Sequence, residues 1–481
     1  MAVKCSDSPP GTSNLKVVTE FLRSLMDNAK TSRKKLLLLF VFSLVLVAIF
    51  SVQFCVQFSD FSMQNYIPRR EWPTVTCPFL VSQQTITPID NTKHLLVSGY
   101  MDQRVKGLDV RIISIFNKTA THPMHCLFCC AGSLSTSTPA SILPHPEDFG
   151  FAYVTTDVMC QIPQDCDATH VTVLTEPFTK DPTKPSNHTW LPLRNRNKHL
   201  SDQEKLKFNF TVCISSLFGD YDNVLQFVQT LEMYRLLGVD RVVIYKTSCG
   251  RNLDRALQIY SQEGFLEVVP WPIDKYLNPS HGWLFSRSGG DVHYFGQMTT
   301  LNECIYRSME RSRYVLLNDM DEIIMPYQHN NLMSLMDALQ KQHSKTGVFL
   351  IENQIFSKTI FEPSRRFHLP QWEGVPGVNI LEHIHKEKPN GKVSCREKMI
   401  IQPRMVEQTS VHYVIKAFSN KVKVPLDVCG IIHVRHSNRG QGYKDFQMDK
   451  RLWDFKELLI PRVDEVLKKV GLLNQTGRAE A

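Results

Sequence analysis

From about residue 205 the chain alternates apolar strand-like runs with helical ones, and this alternation constrains the fold more than any other feature. "FNFTVCISS" is an apolar run that ends in small hydroxyl residues. Asp222 or Asn223 stands where a helix cap is needed, and Val224, Phe227, Val228, Leu231 and Tyr234 then recur at helical spacing. Gly238 closes that helix as a C-terminal glycine does. "RVVIY" predicts a second strand, a helix runs through Leu253 to Gln262 and stops at Gly264, and "FLEVV" predicts a third strand. Another helix covers roughly Tyr294 to Arg311, just before "RYVLLNDMDEIIMP". Such alternation with short links implies a parallel α/β sheet with right-handed crossovers, whose ligands bind at the carboxyl ends of strands. Neither GxGxxG nor GxxxxGKS/T follows the first strand, so dinucleotide and P-loop readings lack support.

The apolar run Tyr314 to Leu317 leads straight into Asn318, Asp319, Met320, Asp321 and Glu322. Carboxylates crowded where a chain leaves a sheet repel one another and raise each other's pKa. A divalent cation removes the conflict, because Mg²⁺ and Mn²⁺ take carboxylate and phosphate oxygens together. A nucleotide-sugar diphosphate needs that help, since the metal neutralises charge on the departing group. On this reading Asp319 sits near ribose and metal, and Asp321 is the main metal ligand. A D-x-D pair alone occurs often as a capped turn before a solvated loop; its place as the end of a fourth α/β strand gives it weight. Ser215 and Ser216 end the first strand, where the nucleotide should lie. Gln297 and Asn302, on the helix before the acidic turn, either touch donor or acceptor or bridge secondary structure.

Upstream, the pattern from 71 to 185 is β-like, with "TKHLLVSGYM", "GLDVRIISIF", "FGFAYVTT" and "THVTVLTE" as strand candidates between Pro, Asp and Gly breaks. A polar linker is expected over 186–204 and a stem over 57–70. The run Leu36 to Val52 holds no charged residue, and extended to Val56 it matches one bilayer thickness as a helix. Arg33, Lys34 and Lys35 abut it, so the positive-inside rule places the tail 1–35 in the cytoplasm and the rest across the membrane. A cleaved signal peptide would carry a small-residue site, and "SVQFCVQF" has none. In an oxidising lumen the 13 cysteines become disulfide material. Setting Cys5 and Cys55 aside leaves an odd number, so at least one is free or pairs between chains. Cys126, Cys129 and Cys130, with Cys160 and Cys166, read as disulfides in preference to a metal knuckle. The sequons at Asn117, Asn187, Asn209 and Asn474 fit the same compartment, Asn209 within a core strand. With 42% hydrophobic and 21% charged residues the chain can build a large core and is not disordered throughout. Half of the net charge of +8 lies in the first 35 residues and the rest is dispersed, which argues against a nucleic-acid partner.

The order of motifs resembles glycosyltransferase family 92, a group of Golgi β-galactosyltransferases on the GT-A fold. The pieces are "VCISSLFGDYDNVLQFVQTLEMYRLLGVDRVVIY", "GQMTTLNECIYRS", "YVLLNDMDEIIMP", "KMIIQPRMVEQTSVHYV" and "GIIHVRH", spanning about residues 208 to 436. The resemblance implies a GT-A-like, Rossmann-type nucleotide-sugar transferase domain over 205–445, followed by a C-terminal helix and tail over 446–481. It implies an inverting enzyme that uses UDP-galactose and Mn²⁺ and acts on an N-glycan or other glycoprotein glycan. A β1,4 linkage to terminal β-galactose is expected, with core fucose as the alternative acceptor. The implied location is the Golgi membrane, as a single-pass type II protein. A catalytically dead glycan-binding scaffold and a metal-dependent lumenal hydrolase are the competing classes. Two positions depart from the family: Asn318 replaces a usually apolar residue, and Lys246 follows "VVIY" where a tyrosine or acid is commoner.

The remaining roles come from that resemblance. His412 in "SVHYV" resembles the late histidine that completes a metal site with Asp319 and Asp321, and His433 is its rival. Either could equally be a satisfied core histidine. Lys398 and Arg404 would hold the diphosphate, or be solvated cations. An inverting transferase needs a general base. Glu373 in "QWEGVPG" is the candidate, with Trp372 beside it to stack on a sugar; Glu352, Glu397 and Glu407 are the other acids.

Overall fold

The computed structural model describes residues 77, 80–120, 122–179, 188–196, 206–388, 397–437 and 443–473. Among them no helix is long and apolar enough to cross a membrane, so the expected single-pass type II Golgi placement does not stand on the structure. The run at 36–56 that carried it lies outside the described residues, as do the tail at 1–35 and the stem at 57–70.

The strands Leu266–Pro270, Arg241–Lys246, Phe208–Leu217 and Ser312–Asn318 lie side by side in that order, all parallel. The chain winds outward from Phe208–Leu217 through two crossover helices, Val224–Leu236 and Arg251–Gln262. It then returns to pair Ser312–Asn318 on the other side of the starting strand. The order reverses there, so a crevice opens between the carboxyl ends of these two strands. Both helices form as their apolar spacing requires, but the capping differs from expectation. Asp222 Oδ1 accepts from the Leu253 amide at 2.7 Å and so serves the second helix. Asn223 precedes the first helix, with its side chain turned to the Val378 amide at 2.8 Å.

The sheet continues antiparallel through Glu397–Ile401 to the long strand Thr346–Ser357. That strand serves two sheets. Its first half pairs with Glu397–Ile401, and its second half runs parallel to Cys429–Arg435. Cys429–Arg435 in turn pairs antiparallel with Glu322–Pro326, opposing His433 to Glu322. The C-terminal helix Lys456–Val470 covers the two crossover helices and buries Leu459, Val463, Val466, Leu467 and Val470. Burying each such side chain stabilises the fold by about 1.5–3 kcal/mol.

The β-rich region closes on itself. The strands Leu95–Met101, Val110–Asn117, Tyr153–Cys160, Thr138–Pro144, His125–Cys130, Ala168–Leu174 and Leu191–Arg194 form a hydrogen-bonded ring. Leu191–Arg194 closes it by pairing parallel to Gly99 and Tyr100. This closing strand falls inside the segment expected to be a linker, which is corrected accordingly. Disulfides Cys77–Cys129, Cys126–Cys160 and Cys130–Cys166 staple the barrel, and Cys213–Cys304 ties the first parallel strand to the helix Gln297–Ser308. Among the described residues Cys249 and Cys429 are the free thiols.

Barrel strands alternate apolar residues on both faces. Leu96, Val110, Ile112 and Phe116 point into the barrel. Leu95, Val97, Ile113 and Ile115 point outward into one core shared with Met298, Leu301 and Ile305. Barrel and parallel sheet therefore fold against each other within one unit, Val75–Ala481. Of the sequons, Asn117 is buried with its side chain bonded to Thr119, Asn209 is exposed at the start of its strand, and Asn187 and Asn474 lie outside the described residues.

Candidate active site

The acidic turn is built by Asn318. Its buried side-chain amide donates to the Tyr234 hydroxyl at 2.5 Å and to the Glu322 carbonyl at 2.9 Å, and Tyr234 donates to the same carbonyl at 3.0 Å. An apolar residue could not hold the chain this way, which gives the departure at 318 a structural role. Glu322 accepts from the Asp319 amide at 3.2 Å and from Asn353 Nδ2 at 2.6 Å. The turn thus buries Glu322 and leaves Asp319 and Asp321 on its open side.

Two cations are set among these acids. Lys398 Nζ lies 2.6 Å from Asp319 and 3.3 Å from Glu322. His433 bridges Asp321 at 3.2 Å and Glu322 at 3.1 Å. Burial alone would lower the His433 pKa, but its hydrogen bonds to Asp321 and Glu322 and their charges push it up to about 10. The imidazole is therefore a cation at neutral pH. Burial opposes ionisation of Glu322 as well, yet Lys398 and then His433 hold its carboxyl well below the usual range. Asp319 goes the other way: burial, with Glu322 and Asp321 beside it, outweighs Lys398 and raises its pKa. Three acids and two cations thus share the turn.

The turn floors a cavity of about 930 Å³ at the switch point. Such a volume suits a ligand the size of a nucleotide sugar. Ser215 and Ser216 form one side, where Gln297 Nε2 donates to Ser215 Oγ at 3.0 Å and Ser216 Oγ donates to the Tyr294 carbonyl at 3.0 Å. Tyr294 and Phe295 both adopt left-handed backbone, with φ of 38° and 54°. Bulky residues pay about 1–3 kcal/mol each for that conformation. It is held by Trp271 Nε1 donating to the Phe295 carbonyl at 2.8 Å and by Phe218 stacked on Phe295 at 3.9 Å. Beside Tyr294 the lining continues with Trp283, whose ring lies parallel to that of His412 with centroids 5.4 Å apart. Lys358, Arg435 and His436 complete the rim. A smaller cavity of about 330 Å³, lined by Ile89, Thr172 and His188, belongs to the barrel alone.

Ser215, Ser216, Gln297, Asp319, Asp321, His412 and His433 thus meet at one cavity. The other sequence candidates do not. Lys398 is buried beneath the acids as their counter-ion, not on the cavity wall. Arg404 donates to the Ser312 carbonyl, at the start of the strand whose far end carries Asp319, because Glu397–Ile401 runs antiparallel away from the site. Glu373 is exposed outside the cavity. Trp372 is buried, its indole NH donating to Asp464 at 2.6 Å, so neither it nor Glu373 takes the expected role. Asn302 braces the backbone of Thr409 at 2.8 and 2.9 Å. Glu352 and Glu397 pair with Lys423, Glu407 pairs with Arg111, and Lys246 pairs with Asp254. Sequence reasoning missed Trp283, Asn353 and Lys358, which no local pattern marks, and Arg435, which stands inside "GIIHVRH" beside the histidine that drew attention there.

For a divalent cation the donor chemistry fits. Asp319 and Asp321, with side chains 34% and 31% exposed, face the cavity with hard oxygen ligands. His412 donates from Nδ1 to the Glu397 carbonyl at 3.1 Å, the second bond that usually orients a ligating imidazole. Among the described residues no three His, Cys, Asp or Glu side chains already converge on one point.

Open α/β sheets bind their ligands in the crevice at a strand-order reversal, and this chain belongs to that class of architecture. The sequence model of glycosyltransferase family 92 matches residues 208–470, more than half of the chain, and the chain belongs to that family. It is 20% identical over 386 residues to the β-1,4-galactosyltransferase galt-1 of Caenorhabditis elegans, covering 78% of this chain and 80% of that one. A glycosyltransferase family 92 protein of the same organism is 24% identical over 233 residues, 48% of this chain and 43% of the relative. Among solved structures, S. aureus TarS with UDP-GlcNAc is similar over 55% of this chain and 71% of its own, at 12% identity and a TM-score of 0.26. That likeness carries no argument; the assignment as a glycosyltransferase rests on the family match.

Proposed function

We propose that this glycosyltransferase moves galactose from UDP-galactose, with inversion, to a terminal β-galactoside of a glycoprotein glycan, forming a β1,4 linkage. The observation that supports it is the acidic turn opening on a cavity at the switch point. The choice of galactose and of linkage leans on the relative named a β-1,4-galactosyltransferase. Uridine and ribose would lie along Ser215 and Ser216, with the diphosphate towards Asp319 and Asp321. Arg435 and Lys358, on the rim, would take the cationic role first given to Lys398 and Arg404. Asp321, with Asp319 and His412, would hold Mn²⁺, which when bound offsets charge on the leaving diphosphate. In the transfer the bond from galactose C1 to the diphosphate oxygen breaks, and C1 bonds to the acceptor hydroxyl oxygen from the opposite face. The hydroxyl proton passes to a base in the cavity, and UDP leaves.

The test is to incubate the purified chain with a panel of UDP-sugars, with Mn²⁺ or with chelator, in the presence and absence of β-galactosides and fucosides. A β1,4-linked digalactoside, formed only with UDP-galactose and acceptor, supports the reading. Preference for another donor, glycan binding without turnover, or UDP-galactose hydrolysis indifferent to acceptor would each overturn it.

A further inference from the structure

We infer that Trp283 is the platform on which the acceptor sugar stacks, and that the β-barrel holds this platform in place as a working part of the active site. The inference rests on the reading above, in which the acceptor is a terminal β-galactoside.

Among the described tryptophans Trp190, Trp271, Trp372 and Trp453 are buried, whereas Trp283 is 38% exposed and lines the cavity. Leu284 and Phe285, also exposed, extend the same lip. A part-exposed indole beside a polar cavity offers a flat apolar surface on which a ligand can stack. Galactose has one. Its axial 4-hydroxyl stands on one face of the ring, which leaves C–H groups of C3, C4 and C5 on the other. Stacking that apolar face on Trp283 turns the 4-hydroxyl away from the indole and into the cavity, as a β1,4 transfer requires.

The platform is not held by its own loop alone. The rings of Phe149 and His293 meet Trp283 edge-on at 5.3 and 5.0 Å. Phe149 belongs to the barrel turn before Tyr153–Cys160. There Asp148 accepts from the Gly150 amide at 2.8 Å and fixes left-handed backbone at Phe149 and Gly150, with φ of 51° and 86°. The Phe149 carbonyl accepts from the Phe285 amide at 3.2 Å, and the Tyr153 amide donates to Asp291 at 3.0 Å. One residue further back, Glu147 bonds the Ser410 hydroxyl and so grips the turn that carries His412. Both halves of the aromatic wall, Trp283 and His412, hang on one barrel loop. Trp283 would touch the acceptor; Phe149 is a positioning residue.

The experiment is initial-rate kinetics of the full chain with UDP-galactose and lactose, alongside calorimetric titration of UDP and of lactose. Trp283→Ala should raise the KM for lactose at least about tenfold while UDP affinity moves less than about twofold. Trp283→Tyr, which keeps a flat face, should recover most of the loss, and Trp283→Leu should not. Phe149→Ala should raise the lactose KM by about threefold with kcat little changed, since it loosens the platform without removing it. A parental lactose KM in Trp283→Ala or in Trp283→Leu would overturn the platform. So would equal losses of UDP and lactose affinity, which mark a collapsed site. Should the parent transfer no galactose, the function proposed above fails on its own, and lactose binding to parent and Trp283→Leu still decides the platform.

Discussion

The chain buries two clusters of charge, and they differ in where water reaches them. In the first, Arg111 of the barrel meets Asp102 at 2.9 Å, Glu407 at 3.0 Å, and Asp157; Arg111, Asp102 and Asp157 have side chains at most 1% exposed. Arg104 ties Asp102 to the carbonyls of Arg404 and Val406. In the second, Lys398 and His433 sit among Asp319, Asp321 and Glu322, and two of those carboxylates are about a third exposed. Acids and bases are matched alike in both. What differs is access: the first cluster has its centre sealed between barrel and sheet, with only Arg104 and Glu407 reaching water at its edge, and the second lacks one wall. Charge density alone does not mark an active site, because a sealed cluster joins two pieces of structure while an open one can exchange partners.

Removing the central cation of the sealed cluster should have the largest effect. Arg111→Ala leaves Asp102 to Arg104 alone and Asp157 to His145 alone, and should cost about 3–5 kcal/mol in denaturant unfolding. The fraction that folds should keep parental affinity for UDP. A loss under about 1 kcal/mol would show that water reaches the centre of the cluster after all.

The open cluster should respond the other way. Asp321→Asn should lower kcat/KM by at least about a hundredfold, roughly 2.7 kcal/mol, and cost the unliganded protein only about 1 kcal/mol in unfolding, because His433 keeps Glu322 as a partner. It should also lose the stabilisation that Mn²⁺ with UDP gives the parent, seen by thermal denaturation with and without them. A well-folded variant with parental turnover would erase the contrast between the clusters.

Acid offers the smallest and most specific probe. Burial would raise the Asp102 pKa, but Arg104 and then Arg111 hold it down to about 2, below its ordinary 3.8. The stability this contributes is present above the ordinary value and is lost as pH falls through about 2. Denaturant titrations should find the parent about 2 kcal/mol above Asp102→Asn near pH 5, with the gap closing towards pH 2. A gap that persists at pH 2 would mean that Asp102 acts through shape instead of charge.

The parts of the site that the sequence disclosed are local. Ser215, Ser216, Asp319 and Asp321 announce themselves because each ends an apolar strand, and strand ends line such crevices. The misplaced residues depend on pairings far along the chain. Lys398 and Arg404 look equivalent, six residues apart. The strand Glu397–Ile401 starts beside the acids and runs away from them, so Lys398 lies under the acids while Arg404, in the turn past the strand's end, sits beside Ser312. Trp372 reads as an exposed aromatic in a Gly/Pro loop until Asp464, 92 residues later, claims its indole. Trp283 gives no signal of its own, since its setting comes from a barrel loop. Leu191–Arg194 hid as a strand because prolines and charges surround it, and only its partners, His170 and Val171 on one side and Gly99 and Tyr100 on the other, make it one.

The shared core has a consequence for the chain during its synthesis. The barrel ring can close once residue 194 is available, but the outward face of Leu95, Val97, Ile113 and Ile115 is covered by a core that extends as far as Val414. About 220 further residues must therefore be translated before that face has its full cover. At 5–20 residues per second the wait is roughly ten to forty seconds. For that interval a closed barrel would display an apolar side whose cover is incomplete and is supplied piece by piece, from Cys213 to Val414.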